Sequence, residues 1–166
     1  MRYADGPVVQ VEVLIDAPVA KVWALVTDIG VSARFSSELQ EARWLDPAEG
    51  PTPGARFVGR NRHPAAGEWE TTCTVTAAEP DRRFSWAVEG LTEPAATWGF
   101  DLEPDGSGVR LRQWALLGPG PSGLSAAIAA MPDKEERIIE RRLQEHRANM
   151  QATVDGIKAL AEGPLS

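Results

Sequence analysis

The two histidines of this sequence, His63 and His146, are its strongest candidates for chemistry. Imidazole titrates near neutral pH and can take and return a proton, as enolisation, aldol closure and dehydration require. Strand alternation and helical spacing place both histidines on the inner faces of elements that should pack together. We therefore expect a pair of catalytic acid–base residues. The alternative is that His63, which precedes Pro64, lies in solvent at a strand end, and that His146 is a core histidine with satisfied nitrogens.

Two side-chain amides, Asn61 and Gln113, are expected on the same inner surface. Each costs about 1–3 kcal/mol if it is buried without a partner, so each either bonds to neighbouring chain groups or binds a ligand. The same alternation and spacing give the rest of the predicted ligand-binding lining: Phe57, Trp69, Thr71, Cys73, Trp86, Trp98, Phe100, Met131, Leu143 and Met150. An apolar wall with a few polar groups is the usual chemistry of a small-molecule pocket.

The plainer interpretation of this lining is a packed core. Large aromatic rings such as Trp69, Trp86 and Trp98 often serve only to bury area. Cys73, flanked by threonines, is expected to be a small buried hydrophobe, because nothing adjacent in the sequence would activate its thiol.

Several classes of function are disfavoured. Two histidines and one cysteine do not match the spacing of metal ligands, and there is no glycine-rich phosphate loop, so we expect no metal and no cofactor. A net charge of -7 argues against nucleic acid as a partner, because a phosphate backbone is bound by clustered lysine and arginine.

Length and composition predict one domain over residues 1–166, since 43% of the chain is hydrophobic. A single cysteine cannot form an internal disulfide, and the first residues lack the pattern of a secretory signal, which favours a cytoplasmic location. No run approaches the roughly 20 apolar residues of a membrane span, so we expect no stable membrane insertion. The expected oligomeric state is a monomer or homodimer.

The elements that would position these residues follow from periodicity. Residues 133–162 read as one helix with a buried stripe of Ile139, Leu143, His146, Met150, Val154 and Ile157. Strand patterns cover residues 8–15, 39–45, 56–63, 68–78, 83–88, 96–102 and 109–117. Asp16 is expected to cap a helix with Pro18 in its first turn, and a second short helix to follow at 31–37. The glycine- and proline-rich segment 118–132 is a hinge-like stretch that could gate a cavity, and the sequence leaves that question open.

These patterns predict an α+β fold, in which a curved antiparallel seven-stranded sheet wraps around the long C-terminal helix, with two short helices between the first two strands. The sequences and order of five segments resemble those of the SRPBCC (START-like) superfamily. The segments are VEVLIDAPVAKVWALVTD at 11–28, PGARFVGRNR at 53–62, WETTCTVTAAEPDRRFSW at 69–86, WGFDLEPDGSGVRLRQ at 98–113 and NMQATVDGIKALAE at 149–162. The resemblance implies the helix-grip fold of START lipid-binding domains, pollen-allergen-like carriers and bacterial polyketide cyclases and dehydrases.

The resemblance implies a hydrophobic ligand between sheet and helix, and a polyketide cyclase, aromatase or dehydratase using general acid–base chemistry. Such enzymes typically use an inward arginine, often with tyrosine or histidine. Here the strand arginines alternate outward and Tyr3 lies in an N-terminus expected to fray, although Arg34 or Arg112 could substitute. The alternatives are a non-catalytic carrier and a stress-related or chaperone-regulating module that acts through its surface.

Overall fold

A computed structural model describes residues 1–163. It confirms the predicted α+β fold: a seven-stranded antiparallel sheet in the order β1-β7-β6-β5-β4-β3-β2, with a long helix against its inner face. The elements are β1 (Val8–Ile15), α1 (Val19–Val26), α2 (Val31–Phe35), β2 (Leu39–Trp44), β3 (Arg56–His63), β4 (Gly67–Glu79), β5 (Arg83–Val88), β6 (Ala96–Asp105), β7 (Gly108–Leu117), α3 (Gly123–Ala130) and α4 (Glu135–Glu162).

Strict alternation separates the two faces of the sheet. In β7 every second residue from Val109 to Leu117 is buried, and the residues between them are half-exposed. Arg112 of this outer set donates to Glu12 of β1 at 2.9 Å, as expected for charged groups on a solvated face. In β4 the alternation shifts at a bulge between Val75 and Ala77. Strict alternation from Val75 would turn Ala77 inward, but beyond the bulge it is Ala78 that packs against the core.

The two halves of α4 meet the sheet differently. In the C-terminal half, Met150, Val154, Ile157 and Ala161 are at most 3% exposed and belong to one cluster with the valines of β1. Full burial of each such side chain stabilises the fold by about 1.5–3 kcal/mol for valine- to methionine-sized groups. In the N-terminal half only Ile139 is as deeply buried, and Leu143 is half-buried. This end of the helix therefore stands over a less filled part of the sheet.

Two sequence predictions near the chain start are wrong. Asp16 does not cap α1, which starts after Pro18 without a side-chain cap; the Asp16 amide instead donates to Glu162 at 2.7 Å. Tyr3 is not frayed: its hydroxyl donates to the Gly120 carbonyl at 2.6 Å. Its backbone amide also donates to Glu135 at 2.7 Å, so the first residues are held against segment 118–122 and the start of α4.

The short helix α2 is fixed to α4 at a glycine. A Cβ on Gly156 of α4 would lie 2.5 Å from the ring of Phe35, which therefore sits directly on the helix backbone. Next to this contact, Asn149 of α4 accepts hydrogen bonds at 2.9 Å from the backbone and hydroxyl of Ser37. These contacts hold the α2–β2 connection against the middle of α4.

We predict that Gly156→Ala destabilises the protein by about 1–3 kcal/mol, because overpacking against Phe35 outweighs the gain of about 1 kcal/mol in helix propensity. Urea unfolding measures the difference. Gly123→Ala at the start of α3 is the control, since nothing lies within 4 Å of a Cβ there. Equal stability of the two variants would show that Phe35 does not rest on Gly156.

Candidate functional site

Beneath the N-terminal half of α4, the inner face of the sheet is lined by side chains that are only partly buried. They face inward but keep part of their surface accessible, unlike those under the C-terminal half. We call this region the open groove and define it by Asn61, Trp69, Thr71, Trp86, Trp98 and Leu143. The cross-strand pairs Asn61–Trp69 and Trp86–Trp98 place their members on the same face.

Two depressions elsewhere contain none of the predicted site residues. The loop over residues 45–56 surrounds about 590 Å³, and about 250 Å³ lies between the end of β1, the turn before β7 and Lys158. The first is lined by that loop and by Arg56, and the second by the ends of β1, β6 and β7 together with Lys158 of α4. The candidate site is therefore assigned from the chemistry of the inner face.

The predicted lining divides into a floor and a wall. Phe57, Cys73, Phe100 and Met150 are at most 6% exposed and belong to the core. The ring of Trp86 lies above this floor, 5.9 Å from that of Phe57 and 6.1 Å from that of Phe100. The accessible wall therefore consists of the tryptophans and their polar neighbours, and a bound molecule would reach the floor residues only by displacing part of that wall.

Two predicted residues differ from this pattern. Met131 follows α3 and is 43% exposed, so it lies at the protein surface within segment 118–132. The Cys73 thiol is protonated, because burial raises its pKa to about 12. The prediction of an unreactive, buried cysteine agrees with that environment.

The two inward amides have different surroundings. Asn61 donates to the Thr71 hydroxyl at 3.2 Å and to the Gly59 carbonyl at 3.4 Å, so neighbouring groups satisfy it. Gln113 is 4% exposed, and its Oε1 has no hydrogen-bond partner among residues 1–163. It pairs across the sheet with Phe100 on one side and Val11 on the other, which leaves the amide in apolar surroundings.

His146 occupies the boundary between the open groove and the packed core. Its ring lies edge-on to Trp98, with centroids 5.0 Å apart and an interplanar angle of 87°. Burial, reinforced by the positive charge of Arg142, lowers its pKa to about 3. The imidazole is therefore neutral at pH 7, where it offers one N–H donor and one acceptor nitrogen but is a poor proton acceptor.

His63 is held in one tautomer by two hydrogen bonds. The Ala65 amide donates to Nδ1 at 3.0 Å, so the proton lies on Nε2, which donates to Glu145 Oε2 at 3.0 Å. Burial opposes ionisation of Glu145, but bonds from His63 and Arg142 outweigh it and hold the pKa of this carboxyl below its usual value. Both nitrogens of His63 are thus occupied within the protein.

Arg142 joins this histidine to the start of β2. Its guanidinium donates twice to Glu38, at 2.5 and 3.1 Å, and once to Glu145 at 3.1 Å. We call Glu38, His63, Arg142 and Glu145 the mouth cluster; their side chains are 12–32% exposed. The sequence around Arg142 contains no signal of this cluster, because Glu38 lies 104 positions away along the chain.

The residues considered as substitutes for an inward arginine do not enter the open groove. Arg112 is bonded to Glu12 on the outer face, and Arg34 is exposed, lying over the Phe35 ring at 5.5 Å. Within residues 1–163 no three His, Cys, Asp or Glu side chains are grouped as a metal site would need. Over the same residues, no helix combines the length and apolar character needed to cross a bilayer.

Comparison with known proteins identifies relatives along nearly the whole chain. A family model described as polyketide cyclase / dehydrase and lipid transport matches residues 7–162. The chain is similar to a polyketide-cyclase-like protein of Corynebacterium glutamicum, Cgl2372, with 32% identity, a TM-score of 0.63, and coverage of 92% of this chain and 90% of that one. No curated protein matches the sequence.

More distant structures share the fold alone. The di-domain ARO/CYC BexL of the BE-7585A biosynthetic pathway has 18% identity and a TM-score of 0.71; the match covers 96% of this chain and 51% of BexL, so this chain spans about half of that protein. Ara h 8.0201 has 11% identity and a TM-score of 0.59, over 93% of this chain and 97% of the other. The predicted SRPBCC resemblance is confirmed, and the match over residues 7–162 shows that the chain belongs to the polyketide cyclase/dehydrase and lipid transport family.

Proposed function

We propose that this protein binds a hydrophobic small molecule in the open groove, with Trp86 and Trp98 against its flat faces and Gln113 hydrogen-bonded to a polar group at its inner end. The observation that carries the proposal is the unpartnered Oε1 of Gln113 in an apolar environment. We expect the protein to act in the cytoplasm, as a monomer or homodimer.

An unpaired buried amide weakens a fold. A leucine at position 113 would fill similar space without the desolvation cost of about 1–3 kcal/mol. A ligand hydroxyl or amide N–H that reaches Oε1 would recover that cost on binding. Aromatic walls suit such a ligand, because ring faces bury a large area with little loss of side-chain freedom.

A second candidate is a polyketide cyclase or dehydratase, and the position of His146 favours it. The described residues provide no hydrogen-bond partner for its ring, which stands at the edge of Trp98 in the open groove. With a pKa of about 3 it would polarise a substrate carbonyl by donating its N–H rather than by accepting a proton. His63 would act on substrate only after releasing Glu145 or Ala65. If turnover is absent, the protein is a carrier.

We predict that Gln113→Leu raises the free energy of unfolding by about 1–3 kcal/mol and weakens binding of 2-naphthol, an aromatic hydroxyl compound, at least about fivefold. Urea unfolding and isothermal titration calorimetry measure the two effects. Gln10→Leu, at an exposed position on β1, is the control. It should change the free energy of unfolding and the affinity for 2-naphthol much less than Gln113→Leu does. A Gln113→Leu variant that is less stable but binds 2-naphthol normally would contradict the proposal.

We predict a pH-dependent stability that originates at His146. The unfolded histidine takes a proton below about pH 6.5, whereas the folded one stays neutral down to about pH 3. The unfolded state therefore binds more protons between these values, so stability falls with decreasing pH by up to about 1.4 kcal/mol per pH unit.

Comparing wild type with His146→Gln by urea unfolding at pH 7.5 and 4.5 isolates this contribution. The wild type should lose more stability than the variant over that interval. If the difference in unfolding free energy between wild type and variant is the same at both pH values, folded His146 takes up a proton in this range. That result would restore general acid–base catalysis as its role.

A further inference from the structure

We infer that the open groove selects uncharged aromatic ligands carrying a hydroxyl or carbonyl group and rejects the corresponding carboxylates. This inference rests on the proposed function, since it specifies which ligands that site accepts. Three observations carry it: the inner strand faces, the mouth cluster and the polar groups at the inner end.

The inner face of the sheet carries no lysine, arginine, aspartate or glutamate on any of its strands. In β3 the arginines at 56, 60 and 62 point outward, while Phe57, Gly59 and Asn61 point inward. The acidic residues of β4 and β6 and the arginines of β7 likewise alternate to the outer face. A ligand carboxylate on this face would therefore have no opposite charge beside it.

The mouth cluster does not supply a free positive charge. The Arg142 guanidinium is committed to both oxygens of Glu38 and to Glu145. This one guanidinium therefore faces two carboxylates, which leave it no capacity to bind the carboxylate of a ligand. The two carboxylates would also repel a ligand anion that approaches the cluster.

The inner end of the groove is polar but uncharged. The Gln113 amide and the neutral His146 ring can donate to a carbonyl or accept from a hydroxyl, but neither can neutralise an anion. A hydroxyl exchanges its bonds to water for bonds to these groups, whereas a carboxylate loses its hydration without gaining a counter-ion. Charge, rather than size, is therefore the property on which the groove discriminates.

Three probes built on one ring system test this inference: 2-naphthol, 2-naphthoate and its neutral methyl ester, each titrated calorimetrically into the wild-type protein at pH 7.5. We expect 2-naphthol and the ester to bind and 2-naphthoate to bind at least about tenfold more weakly. Naphthoate binding as tightly as naphthol, or an ester as weak as the acid, overturns the inference while leaving the proposed groove in place. If none of the three binds, the proposed function itself fails.

A matched pair of variants tests the part played by the mouth cluster. Glu145→Gln removes one carboxylate there and should strengthen 2-naphthoate binding relative to 2-naphthol binding about threefold or more. Glu140→Gln changes the net charge equally at an exposed position of the same helix and should leave both affinities within about twofold. An equal effect of the two variants, or no effect of Glu145→Gln, overturns the assignment of selectivity to this cluster.

Discussion

The architecture depends on one geometrical constraint: a helix of 28 residues lies against a sheet that curves, so the two surfaces fit closely over only part of their length. The fit is close at the C-terminal half of α4, where Val154 and Ile157 have no accessible surface. Toward the N-terminal half the inner residues remain partly accessible, including Trp86 and Trp98, which also pack against the core. The packed core and the open groove therefore lie at opposite ends of the same contact between α4 and the sheet.

The position of each polar group along this layer determines its chemistry. His146 lies one turn before the fully buried Met150, close enough to the core to lose its positive charge and close enough to the groove to contact Trp98. His63, at the end of β3, lies among ionised groups and uses both nitrogens to connect strand and helix. Two histidines that look equivalent in the sequence therefore have different environments: His146 is an uncharged ring at the edge of the core, and His63 is part of a hydrogen-bonded network.

Features set by short-range periodicity were predictable, and those set by distant contacts were not. The alternation of β7 placed Gln113 inward, and helical spacing predicted the buried stripe from Ile139 to Ile157 with the exception of Leu143, which is only partly buried. The bond between Arg142 and Glu38 joins residues 104 positions apart, so nothing local distinguishes that arginine from its solvated neighbours. The contact between Tyr3 and Gly120 could not be predicted for the same reason, because the two residues are 117 positions apart. Likewise, the low pKa of His146 depends on how completely the folded chain excludes water, which spacing alone does not determine.

The separation of packed and open ends also bears on how such a protein diverges. Substitutions at Val154 or Ile157 open cavities in the core and lower the folding free energy, whereas substitutions at the partly accessible Thr71 or Leu143 disturb less buried area. A lineage carrying this arrangement can therefore change the inner surface beneath the N-terminal half of α4 through a few point mutations while its folding free energy changes little. The tolerance of this fold to substitution therefore depends on the point along α4 at which the helix ceases to pack closely on the sheet.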